Sequence, residues 1–250
     1  MAFDQSVIQM SLVEEEVKVR KIVVDPRISL TMVGRLVVAT DKGKLSIIKK
    51  CKYPSDFIPG YHELARKLLC ETFAGNFRGD YDLYFDEFKR KAKEYKAVAL
   101  GFPKEKVGYK NNFFSAEALD GVVAMEGLLT PLLDEYNYHS NLAQKKSAIM
   151  QNSVRVGAMA DMMLEDQYGL DHVGFLKFNF SKTKHPEEEA AVKLRILKSY
   201  FEGKNMLLNP KDCILVDVPT RRIYTLNEMH DAGTVLDKVT MLIRDNWDII

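Results

Sequence analysis

Residues 174–203, GFLKFNFSKTKHPEEEAAVKLRILKSYFEG, followed by residues 212–224, DCILVDVPTRRIY, decide the fold class. In the first stretch Phe175, Lys177 and Asn179 alternate with Leu176, Phe178 and Phe180. A period of two puts these sets on opposite faces of a strand. Pro186 then opens a helix, because a first-turn proline loses no needed donor. Glu187, Glu188 and Glu189 follow, suited to the positive end of the helix dipole. Ala190, Leu194, Leu197 and Phe201 recur at helical spacing, and Gly203 stops the helix. CILVDV (213–218) is a second strand, PTRR a turn, and RIYTL a strand that pairs back. Residues 227–247 read as a terminal helix.

Outward from this core, the rest reads as mainly helical. Residues 6–24, which contain VKVRKIVV (17–24), read as a strand or a short helix joined to one, broken by Asp25-Pro26. Residues 28–54 read as two short helices, the first capped by Ser29 and the second by Thr40 or Asp41. In the second, Leu45, Ile47 and Ile48 point inward and Lys44, Lys49, Lys50 and Lys52 outward. Residues 59–75 and 81–100 read as amphipathic helices, and 101–112, rich in glycine and asparagine, as a loop. A helix opens at Ser115 and is kinked or divided by Gly127 and Pro131. A second long helix is expected over 141–169, with Met150, Met159, Met162 and Met163 as core filler. The resulting class is α/β (α+β), mostly helical, with a small C-terminal mixed sheet flanked by helices. A basic helical region, 1–110, precedes an α/β part, 111–250; one continuous domain fits equally.

Composition sets bounds. The chain has 250 residues, 46% hydrophobic and 28% charged, with a net charge of +1. These are values of an ordinary globular protein. No apolar run suits a membrane span or a signal peptide, so a cytoplasmic protein is expected. Cys51, Cys70 and Cys213 are far apart and read as free thiols. The five histidines are scattered, and no P-loop, G-x-G-x-x-G, H-E-x-x-H or G-x-S-x-G occurs. Charge is uneven: residues 17–53 hold ten Lys or Arg against two acids, a surplus of +8. Such a surplus suits a polyanion. In the second basic helix, Lys42, Lys44, Lys49, Lys50 and Lys52 would meet phosphates and Tyr53 would stack, loosely in a helix-turn-helix manner.

The strand, helix, strand and hairpin after residue 172 resemble, in layout, the second half of a PD-(D/E)XK nuclease core of the RecB-like branch. The opening DPRISLTMVGRLVVA (25–39) and PGYHELARKLL (59–69) look like the helices that enter that core. The resemblance implies a Mg²⁺ site of two or three carboxylates and a lysine that positions water. The family's glutamate-x-lysine falls here on Phe180-Ser181-Lys182, and phenylalanine binds no metal. A relocated acid would be Asp217 on the next strand, Asp120 or Glu126 on the long helix, or one of Glu187, Glu188 and Glu189 at the helix start; the metal ligands would be Asp217, Asp120 and Glu126, with Asp217 and Lys182 catalytic. Arg221 and Arg222 in the turn could clamp phosphate. The reading is a nucleic-acid-binding protein with a degenerate nuclease-like core, a subunit in DNA or RNA processing or defence. Two alternatives stand: a Mg²⁺-dependent nuclease with a relocated carboxylate, and a non-enzymatic assembly protein using its Met-rich helices as an oligomer or partner face.

Overall fold

The computed structural model describes residues 22–55, 60–144, 146–228 and 232–250. Most of the expected first strand, with Lys18, Arg20 and Lys21 of the basic segment, lies outside these residues, as does His230.

A five-stranded sheet forms the centre, in the order β2 (Asn137–Ser140), β5 (Met162–Glu165), β6 (His172–Asn179), β7 (Cys213–Asp217), β8 (Arg222–Thr225). β6 and β7 are parallel, joined across α7 (Pro186–Glu202); every other pair is antiparallel. A second sheet, β1 (Arg27–Ile28), β4 (Val154–Gly157), β3 (Ala148–Gln151), packs beside it. This is the expected α+β class.

Alternation along the strands builds two cores. On one face Met163, Phe175, Cys213 and Leu215 meet Val33 and Leu36 of α1 (Leu30–Val38), Leu194 and Leu197 of α7, and Ile243 and Trp247 of α8 (Ala232–Trp247). On the other, Leu164, Leu176, Phe178 and Ile214 meet α3 (Glu63–Phe73), α4 (Tyr81–Leu100) and α5 (Val107–Val123). The first core draws on both halves of the chain: α1 packs on α7, and β1 pairs with β4. Ser29 caps α1 and Thr40 caps α2 (Asp41–Lys52), as the sequence predicts. Among the described residues no helix is long and apolar enough to cross a membrane. All three cysteines are free, Cys70 and Cys213 fully buried.

Five expectations are corrected. Residues 141–169 form no helix but the strands β3, β4 and β5. Asn152 and Ser153 both adopt positive φ, 50° and 65°, a left-handed pair that turns β3 into β4. Only Met162 and Met163 of the four methionines are deeply buried; Met150 is exposed, and the proposed Met-rich helical face does not exist. Residues 101–112 are only partly loop, since α5 starts at Val107, and Ser115 is buried within that helix rather than capping it. The divided helix is α5 and α6 (Glu126–Glu135), with Pro131 inside the latter. Leu45 is exposed; only Ile48 of α2 is buried.

Candidate functional site

Asp161 sits where β5 begins. The small residues Ala158 and Ala160 before it are buried, so the backbone enters the protein interior. Its amide donates to the Leu176 carbonyl (3.0 Å), and its carbonyl accepts from the Asn141 amide (2.9 Å). The carboxylate is completely buried. It accepts from Arg66 Nη1 at both oxygens (2.6 and 2.5 Å), from Lys177 Nζ (2.8 Å) and from the Phe178 amide (2.8 Å). Arg66 comes from the shoulder of the buried Ala65–Leu69–Phe73 stripe of α3, and Lys177 from the period-two face of β6.

Burial alone would favour the neutral acid, but Arg66 and Lys177 outweigh it and lower the Asp161 pKa. Lys177 is brought down to about 8 by desolvation, opposed by Asp161 and assisted by Arg66. His62 is pushed toward its neutral form by burial and, further, by the Arg66 charge.

A second network stands alongside. Lys193 Nζ contacts Glu189 (2.9 Å) and Asn179 Oδ1 (3.4 Å). Glu189 also accepts from Thr183 Oγ1 (2.6 Å). Asn179 Nδ2 donates to the Ser181 carbonyl (3.0 Å) and to Asp217 (3.3 Å). Gly34 of α1 lies against this pair; a Cβ there would come within 2.6 Å of Lys193 Cε. Between the two networks is a recess of about 50 Å³, lined by Thr31, His62, Arg66, Lys177, Asn179, Phe180, Ser181 and Lys193 among others. Three cations (Arg66, Lys177, Lys193) line the recess and no carboxylate does; the acids that balance them, Asp161, Glu189 and Asp217, stand behind the lining. The recess admits a group the size of a phosphate or a few waters, far below a nucleotide-sized pocket.

A divalent metal does not fit here. A carboxylate has about four lone-pair directions, and all four on Asp161 are taken by donors. Two cations already adjoin it. Among the described residues no group of three or more His, Cys, Asp or Glu is placed to hold a metal ion.

The residues singled out by sequence are spread widely. Asp217 is buried at the end of β7; burial raises its pKa against the Thr220 amide, Asn179 and Lys193. Lys182 is exposed beyond β6. Asp120 is exposed and paired with Lys96 (2.5 Å), and Glu126 lies in the first turn of α6. These acids share no site with one another. On α2, Lys42, Lys49 and Lys50 are exposed, but Lys44 pairs with Asp41 (3.0 Å) and Lys52 donates to the Trp247 carbonyl (2.6 Å). The Tyr53 hydroxyl donates to the Ile250 carbonyl (3.4 Å). Since α2 packs on α8 and β1, its last turn is a packing surface. Arg221, left-handed at φ 54°, and Arg222 share a groove of about 450 Å³ with Glu187 and Glu228.

Sequence reasoning missed Asp161, Arg66, Lys177 and Lys193 as site residues, having placed Asp161 on a helix. The available signal was the small-residue run before it, in GAMADMM (157–163), entering an apolar strand. Compared with protein-family models, with curated proteins and with solved structures, the chain matches none.

Proposed function

We propose that this chain binds nucleic acid through its phosphates, using a nuclease-like core that does not hydrolyse them, as a subunit in DNA or RNA processing. The observation that carries the reading is the recess, whose lining holds Arg66, Lys177 and Lys193 and no acidic side chain. Cations that line a partly desolvated recess attract an oxyanion more strongly than cations in open water. Exposed Lys42, Lys49 and Lys50 add diffuse attraction. Hydrolysis is the weaker reading, because Asp161, the acid beside the strand lysine, has its oxygens committed to Arg66, Lys177 and the Phe178 amide.

The test is anisotropy of labelled oligonucleotides at about 50 and about 200 mM salt. Phosphate contacts release counterions, so affinity should fall roughly tenfold or more over that range. Thr31 is exposed at the recess mouth in the first turn of α1. Thr31→Glu places a carboxylate there without touching the buried ion pairs, and a first-turn acid suits the helix. It should weaken binding, and Thr31→Lys should strengthen it. Undetectable or salt-independent binding of the wild type would sink the proposal.

A further inference from the structure

A chain of ring contacts leaves the recess. Phe180, which forms part of its wall, is buried; it stacks on Phe178 (5.8 Å between centroids, 9° between planes) and carries the Arg66 guanidinium over its face at 5.1 Å. His62 meets Phe180 at 5.3 Å and Phe114 at 6.0 Å. Phe114 contacts Tyr61 (5.3 Å) and Phe113 (5.8 Å), and Phe113 stacks on Tyr109 (5.3 Å, 13°). Beyond Phe180, every ring in this chain is only half-buried.

The placement follows from two helix beginnings. Tyr61 and His62 precede α3, while Tyr109, Phe113 and Phe114 lie in the first turns of α5. His62 Nδ1 lies 3.2 Å from the Phe114 carbonyl, and the buried Ser115 hydroxyl donates to the Tyr61 carbonyl (3.3 Å), fastening one segment to the other. Rings that serve only as core are covered, as Phe73, Phe85 and Phe88 are in this protein. These five keep surface in water, and the segment that carries Tyr109 and Phe113 also carries Lys104, Lys106 and Lys110, the first two exposed, with one acid, Glu105, among them.

We infer that residues 61–62 and 109–114 form a base-stacking track for a single-stranded nucleic acid, one of whose phosphates occupies the Arg66–Lys177–Lys193 recess. The inference rests on the proposed phosphate binding and adds the strandedness. Bases of a duplex are stacked on each other and have no free face for such rings, whereas every unpaired base has one. Lysines interleaved with the rings follow the backbone.

The experiment compares four probes of one length and label: single-stranded DNA, single-stranded RNA, the DNA duplex, and a DNA strand whose central nucleotides are abasic. The abasic strand keeps the phosphates and loses the faces. Expected are tighter binding of one or both single strands than of duplex, and a loss of about five- to a hundredfold on the abasic strand, the range of one to a few stacked bases. Tyr109→Leu and Phe113→Leu keep apolar volume while removing the ring. Each should weaken the intact strand by several-fold and leave the abasic strand unchanged, with circular dichroism reporting that the fold is kept. Duplex binding equal to or tighter than single-strand binding, or abasic binding equal to intact, overturns the track while leaving phosphate binding standing. Salt-independent binding of every probe overturns the phosphate reading instead.

Discussion

At the scale of residues, Asp161 is the point on which the site turns. Its carboxylate holds together elements distant in sequence: α3 through Arg66, β6 through Lys177 and the Phe178 amide. Asp161→Asn keeps the shape and removes the charge, leaving two cations facing an amide. Breaking a buried ion pair from one side costs about 3–5 kcal/mol. In a chain of this length that lowers the melting temperature by roughly 6–20 °C. Calorimetry checks it, and a fall of less than about 2 °C would show that solvent screens the cluster. Lys177 gives a pH signature. Its folded pKa, near 8, lies below the 10.5 of a free lysine, so between these values the unfolded chain binds more protons. Stability therefore rises with pH in that window, by about 1 kcal/mol from pH 7 to 9 for this group alone. Of the groups facing it besides the Arg66 guanidinium, Asp161 is held charged by its cationic partners, and Cys70 is pushed up to about 12 by burial first and Asp161 second. Lys177→Met should remove that rise, as urea titrations at the two pH values would measure. The same deprotonation takes a charge from the recess, so oligonucleotide affinity should weaken as stability improves. Lys177 was legible as a strand residue. Its partner was not, because a salt bridge across 16 residues of chain depends on a register that a period of two cannot supply alone.

At the scale of elements, the parts that read true carried local signals. α7 announced itself with a first-turn proline, three acids and a four-residue apolar rhythm, and β6 with clean alternation. The segment 141–169 failed because its strands are four residues long, too short for alternation to declare itself, and its turn lacks glycine. Asn152 and Ser153 hold left-handed conformations that a glycine at the second position would adopt freely. Ser153→Gly should therefore stabilise by about 0.5 kcal/mol, seen as a higher denaturation midpoint; Asn152 must stay, since its amide donates to Thr240 Oγ1 (2.9 Å). Gly174 of β6 illustrates the reverse. A Cβ there would come within 2.0 Å of the Asp212 carbonyl oxygen, which is backbone and has little room to yield. Asp212 is itself held by the Tyr136 hydroxyl (2.6 Å). Gly174→Ala should cost about 1–3 kcal/mol or more, the range of overpacked cores, and soluble yield together with melting temperature would register it.

At the scale of the whole molecule, the question is whether two cores make two folding units. The central sheet argues for one, since alternate residues of the same strands supply both: Phe175 and Leu215 to one side, Leu176 and Ile214 to the other. Neither face can lose its partners without exposing strands the other needs. The chain's single tryptophan permits a direct test. Trp247 is buried in the first core, and its Nε1 donates to the Val24 carbonyl (2.7 Å) beside the Lys52 contact, joining α8 to the start of the described chain. Its fluorescence therefore reports the α1–α7–α8 side. Far-ultraviolet dichroism draws heavily on the long helices α4 and α5, which pack on the opposite side. A single cooperative unit requires the two signals to trace one denaturation curve with one midpoint and one slope. Trp247→Phe keeps most of the apolar area and drops the donor, costing about 1–2 kcal/mol; followed by dichroism alone, it should move the α4–α5 signal by that same amount. If the helices of the second core kept their midpoint while Trp247→Phe destabilised the first, the shared sheet would not be coupling the two faces.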